Sequence, residues 1–180
     1  GFAVDVGSTT IAAHLCDLSS GEVLATAGAM NPQIRFGEDL MSRVSYGMMN
    51  PGGDVEMTSA VRATLAQLFA QLVEQAQCDK SAVLEVVFVA NPIMHHLLLG
   101  IDPVELGGAP FALAVDSSIS MPAEELLLGL SRGARVYLMP CIAGHVGADT
   151  AGVILAEAPQ DKDPISLLVD VGTNAEIVLG

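Results

Sequence analysis

Asp5 and Asp170 stand in matching surroundings near opposite ends of a 180-residue chain. Val4-Asp5-Val6-Gly7-Ser8-Thr9 and Val169-Asp170-Val171-Gly172-Thr173-Asn174 share one pattern: apolar, Asp, Val, Gly, hydroxyl, small polar. Glycine lets backbone approach a ligand closely, and successive N–H groups in a tight turn form an anion-binding nest. Ser8, Thr9, Thr10 and Thr173 add hydroxyls. A carboxylate at a strand end, Asp5 or Asp170, suits Mg²⁺, which keeps its waters and needs few protein ligands. Two such turns facing each other would grip a polyphosphate from both sides, where the charge of phosphoryl transfer develops. One turn alone reads better as an ordinary hairpin with a capped Asp; the matched pair, each after a buried strand, favours phosphate.

Rival motifs are missing from the sequence: there is no G-x-x-x-x-G-K-[ST], no G-x-G-x-x-G after a strand, no H-E-x-x-H and no G-x-S-x-G. A formal charge of −14 with only seven Lys and Arg argues against nucleic acid as a partner and disfavours an anionic membrane surface. A phosphate site here must rely on backbone amides and a metal ion. No uninterrupted apolar run reaches the roughly 18 residues of a membrane span. Cys16, Cys78 and Cys141 have no metal-type spacing and read as buried thiols in a reducing, cytoplasmic setting. Nothing at the N-terminus resembles a signal peptide. Both ends read as strands cut in progress, so a piece of a longer polypeptide is expected.

Positioning these groups requires a particular order of elements. Gly1–Val6, Ile11–Asp17 and Glu22–Ala27 read as a three-stranded meander. A short helical stretch follows around Glu38–Tyr46, then a long helix from the Asn50-Pro51-Gly52-Gly53 break to about Gln77, striped by Val61, Leu65, Leu68 and Leu72, with Asp54 as its N-cap. Val83–Ala90 is a strand, and Asn91-Pro92 caps and opens a helix ending near Gly100. Asp102–Ser120 is irregular. Arg135–Met139 is a strand, Gly144–Ala156 a loop running into a helix, and Ile165–Val171 the last strand before the second turn. The order predicts an α/β fold.

Several residues carry two readings. Asp149 either works in the site or caps the helix after it. Gly144 and Gly147 either admit a phosphate or allow tight packing. Arg43 either reaches a phosphate or makes a surface ion pair. His14, His95 and His96 read as packed or surface residues, and Met41, Met48, Met49 and Met94 as core or loop fillers.

Phe2–Thr10 and Asp170–Glu176 resemble the two phosphate motifs of the ASKHA superfamily of actin, heat-shock chaperones and sugar kinases. Asn31-Pro32-Gln33, Gly37–Arg43 and Pro140–Thr150 narrow the likeness to the ATP-dependent reductive activators of corrinoid-dependent methyltransferases. That resemblance implies an actin-like (ribonuclease H-like) ATPase lobe: a mixed sheet with a three-stranded antiparallel meander and helices on both faces. Residues 1–163 would be the first lobe and 164–180 the start of the second. It implies ATP and Mg²⁺ as ligands, with a [2Fe-2S] cluster only in a domain outside this chain. Hydrolysis would drive Co(II) to Co(I) reduction on a corrinoid protein or methyltransferase partner; homodimerisation is left open. Asp5 and Asp170 would hold the metal through water. Gly7, Ser8, Thr9, Thr10, Gly172, Thr173 and Asn174 would cradle phosphates. Asp149, and less directly Glu176, would orient the attacking water or the metal. With the adenosine pocket mostly in the missing lobe, the isolated chain is expected to be inactive. A small-molecule kinase using Asp149 as general base, and a non-catalytic nucleotide switch, are the alternatives.

Overall fold

Alternation of residue size sets the sheet. In the computed structural model, which describes residues 1–161, 163–172 and 175–180, β1 (Phe2–Val6) buries Phe2, Val4 and Val6 on one face and turns Ala3 and Asp5 to the other. It pairs antiparallel with β2 (Thr10–Cys16), and β2 pairs antiparallel with β3 (Val23–Met30), which is the expected meander. On its other side β1 runs parallel to β4 (Glu85–Ala90), as parallel strands joined by a helical crossover do. Two further strands, β5 (Ile119–Pro122) and β6 (Arg135–Leu138), complete the order β3-β2-β1-β4-β6-β5. The four-residue edge strand β5 lies at the end of a stretch read as irregular. Two last strands, β7 (Leu167–Val171) and β8 (Ala175–Leu179), form a separate antiparallel sheet.

Helices cover both faces. After α1 (Leu40–Met49), the long α2 (Gly53–Gln75) lays the stripe Val61, Leu65, Leu68, Phe69 and Leu72 on the sheet. Phe69 stacks on Phe2 with centroids 4.3 Å apart and tilts against Phe88 at 6.4 Å, tying the helix to both β1 and β4. Next to it lies α3 (Pro92–Leu99), buried along almost its whole length and closed by left-handed Gly100. On the opposite face α4 (Ala148–Glu157) packs on β4, where a side chain at Gly152 would touch Val89 at 3.1 Å. That is the face onto which Asp5 projects.

Two capping expectations change. The cap of α2 is Gly52 in the left-handed region, and Asp54 sits in the first turn, where it favours the helix dipole. The cap of α4 is Gly147, so Asp149 is a first-turn residue rather than a cap. Asn91 caps α3 as expected, accepting from the Met94 amide. Cys16 and Cys78 are half-buried and only Cys141 is buried. Met94 is a core residue, whereas Met41, Met48 and Met49 are exposed.

Replacing Phe69 by Ala should lower the unfolding free energy by about 3–5 kcal/mol, against no more than about 0.5 for exposed Met49→Ala. Urea unfolding of the two variants beside the parent checks the contrast.

Candidate functional site

The first turn is shaped from behind. The carbonyl of Gly7 accepts from the side-chain amide of Asn31 at 2.8 Å, and that of Thr9 from the Asn31 backbone amide at 2.8 Å. Between them, the Ser8 carbonyl accepts from the Arg43 guanidinium. A trans peptide holds its N–H opposite its C=O, so the inward Gly7 and Ser8 carbonyls turn the amides of Ser8 and Thr9 the other way. Gly7 is required for a reason other than positive φ: a Cβ there would lie 2.5 Å from the Thr10 carbonyl.

Arg43 is therefore neither a phosphate ligand nor half of a surface ion pair. It is fully buried, with Nε donating to the Gly37 carbonyl at 2.9 Å and Nη1 to the Met94 sulfur at 3.2 Å. Burial pulls its pKa down to about 10, opposed by the Asp39 charge. Asn31 is equally buried and also donates to the Met94 sulfur, at 3.5 Å.

In front of the turn opens a cavity of about 290 Å³. Asp5, Gly7, Ser8, Thr9 and Thr10 line one side; Asp149, Asp170, Gly172 and Glu176 complete it, with Leu40 and Asn91. The two turns picked out in the sequence thus share one space, together with Asp149 and Glu176. Thr173 and Asn174 lie outside the described residues. Leu40 and Asn91 went unnoticed as wall residues: one begins α1, and the other carries only the signature of a cap.

Strand parity and helix placement explain the convergence. Asp5 faces away from the Phe2–Val4–Val6 core, between Ala12 and Val89 of its neighbours, and small Ala12 leaves room above it. Across that face comes the first turn of α4. Gly147 allows this approach, since a Cβ there would lie 2.6 Å from the Ala90 carbonyl and 2.5 Å from a carboxylate oxygen of Asp149. Gly144 is likewise a packing glycine, its missing Cβ filled by the Phe111 carbonyl. Asp149 accepts from the Thr150 amide at 2.8 Å.

The carboxylates penalise one another. Asp5 is pushed up to about 6, first by desolvation and then by Asp149 and Asp170. Desolvation also raises Asp149, helped by Asp170 and opposed by the Thr150 amide. Glu176 is raised by desolvation and then by Asp149 and Asp170. Such a cluster calls for a cation. The wall offers oxygen and amide groups only, with no thiol or imidazole among its described residues, which is the ligand chemistry of a hard ion such as Mg²⁺. Among the described residues no three His, Cys, Asp or Glu side chains are grouped to hold a metal ion, and Mg²⁺ keeps its waters and needs few protein ligands. A second, more apolar cavity of about 640 Å³ abuts the first, sharing Leu40, Asn91 and Glu176.

A sequence profile for the RACo middle region matches residues 1–161. The chain belongs to the RACo middle region family. This RACo middle region is 36% identical over 180 residues to the corrinoid activation enzyme RamQ of Eubacterium limosum, covering 100% of the chain and 30% of that protein. It superposes on a reductive activator for corrinoid, iron-sulfur protein with a TM-score of 0.96 at 37% identity, covering 100% of the chain and 29% of the other. The domain thus spans about three-tenths of the length of these relatives. A provisional 2-dehydro-3-deoxygalactonokinase of Sinorhizobium meliloti matches with a TM-score of 0.50 at 10% identity, over 99% of this chain and 48% of that one, and shows a shared fold. The architecture is that of an actin-like, ASKHA-type ATPase lobe. No described helix is long and apolar enough to cross a membrane.

Because the folded Asp5 pKa lies above the unfolded value, the folded state holds more protons between about pH 4 and 6, and Asp5 costs stability as pH rises through that window. His95, pulled down to about 4 by burial, acts in the opposite sense over nearly the same range, and His96, also lowered by burial, acts in the same direction as His95. The difference between parent and Asp5→Asn removes the histidine contribution. Without divalent cations, Asp5→Asn should gain stability relative to the parent between pH 5 and pH 7, and Mg²⁺ should narrow the gap by stabilising the parent. Urea unfolding at each pH checks this.

Proposed function

We propose that this domain binds Mg²⁺-ATP in the smaller cavity, and that in the complete polypeptide ATP hydrolysis drives one-electron reduction of a protein-bound corrinoid from Co(II) to Co(I). The observation that carries the nucleotide assignment is the convergence of the hydroxyl-rich turn Gly7–Thr10 with Asp5, Asp149, Asp170 and Glu176 on one space. The corrinoid assignment rests on likeness to proteins described as a corrinoid activation enzyme and a reductive activator.

In this reading Asp5 and Asp170 hold a hydrated Mg²⁺, and Gly7–Thr10 with Gly172, Thr173 and Asn174 bind phosphate oxygens through amides and hydroxyls. Mg²⁺ supplies the positive charge that neutralises the acidic wall and the phosphates. Asp149, reaching the cavity from the first turn of α4, orients the attacking water, and its raised pKa suits it to accept a proton. Glu176 is the second candidate for that task. Residues 1–163 form the first lobe and 164–180 begin the second, a division supported by the separate β7–β8 sheet. The partner is a corrinoid protein or a corrinoid-bearing methyltransferase in the cytoplasm. A [2Fe-2S] centre belongs to a part of the polypeptide outside these residues; Cys16, Cys78 and Cys141 are free.

In the complete polypeptide, Asp5→Asn and Asp170→Asn should each lower Mg²⁺-ATP turnover by about 10²-fold or more while leaving the circular dichroism spectrum unchanged. A Co(II) corrinoid protein should stimulate turnover of the parent, with Co(I) appearing in the visible spectrum. Parent-like hydrolysis by both variants overturns the site assignment. Stimulation by a sugar instead of a corrinoid protein identifies a kinase.

A further inference from the structure

Arg43 is among only seven Lys and Arg residues in a chain of charge −14, yet it is fully buried. Removing a guanidinium from water is costly, and an apolar side chain of similar volume fills such a space at less expense. Packing alone therefore does not account for an arginine at this position. Its three donors fan out to three separate segments: the Ser8 carbonyl in the first turn, the Gly37 carbonyl before α1, and the Met94 sulfur in α3. Only a planar fork reaches all three at once; an ammonium group keeps the charge but loses the geometry.

The Ser8 carbonyl is the one acceptor of the three that belongs to the cavity wall, and its peptide ends in the Thr9 amide. A cation bonded to a peptide oxygen draws electron density from that peptide and strengthens its N–H as a donor. Four carboxylates line the same cavity, and they repel an incoming anion. Arg43 supplies fixed positive charge behind the turn at the place where that repulsion must be offset.

We propose that Arg43 is a positioning residue for phosphate binding: held beneath the first turn, it fixes the Ser8–Thr9 peptide with its amide toward the ligand and polarises that amide, without touching the ligand itself. This deepens the Mg²⁺-ATP reading and rests on it.

The test uses the complete polypeptide and the variants Arg43→Lys, Arg43→Met and Arg43→Ala. Expected is a rise of about tenfold or more in KM for Mg²⁺-ATP, larger for Met than for Lys, with cooperative unfolding retained. Guanidinium chloride at millimolar concentration should restore much of the loss in Arg43→Ala and none in Arg43→Met, where the side chain occupies the space. Amide exchange of the peptide covering residues 6–12, measured without nucleotide, should be faster in all three variants. A folded variant with the parent KM and parent exchange rates overturns the inference, as does loss of the fold in all three. If the parent itself binds no Mg²⁺-ATP, the nucleotide reading fails, while the exchange data still report whether Arg43 fixes the turn.

Discussion

Three successive carbonyls of one turn are held from behind by Asn31 and Arg43, and the rest of the site depends on that arrangement. A backbone oxygen turned away from water must find a donor, or it costs about 1–3 kcal/mol. Here two side chains and one backbone amide meet the whole demand. The donors come from the end of β3 and from α1, and both side chains converge on the sulfur of Met94 in α3. The conformation of the turn is thereby tied to the packing of distant elements. Gly7 closes the arrangement, since only a residue without Cβ can approach the Thr10 carbonyl so closely.

The front of the site is built on the opposite principle. Asp5, Asp149, Asp170 and Glu176 come from β1, α4, β7 and β8, and burial together with mutual repulsion raises the pKa of Asp5, Asp149 and Glu176. Such a cluster is unfavourable in the empty protein and becomes favourable once a cation lies among the carboxylates. Local stability is given up where binding is to occur, a trade common at functional sites. The donors behind the turn, the Asn31 amides and one buried guanidinium, set its direction, and the acids before it set the charge that a cation must meet.

Much of this was legible in the sequence because the signals are local. A short apolar run revealed β1, alternation revealed β2, the apolar stripe revealed α2, and Asn91-Pro92 fixed the start of α3. The repeated Val-Asp-Val-Gly picked out two turns that line the same cavity. What escaped depends on distant partners. β5 has four residues and ends in a proline at a sheet edge, too little for a periodic signal. Charged residues are expected at the surface, and nothing near Arg43 in the chain announces that Ser8, Gly37 and Met94 will surround it. Asp54 and Asp149 have the composition of caps, but glycines at positions 52 and 147 take the capping places.

Asn31 and Asn91 are each followed by proline; the Asn31 side-chain amide donates to the Gly7 carbonyl, and the Asn91 side-chain oxygen caps α3. Were Asn31 to age into aspartate, its donor to Gly7 would become a negative charge facing a carbonyl. Spontaneous deamidation begins with attack by the backbone nitrogen of the following residue on the side-chain amide. Proline has no N–H there to give. The same ring that sets the chain into its helical turns after Asn31 and Asn91 therefore closes this route of deamidation at both asparagines.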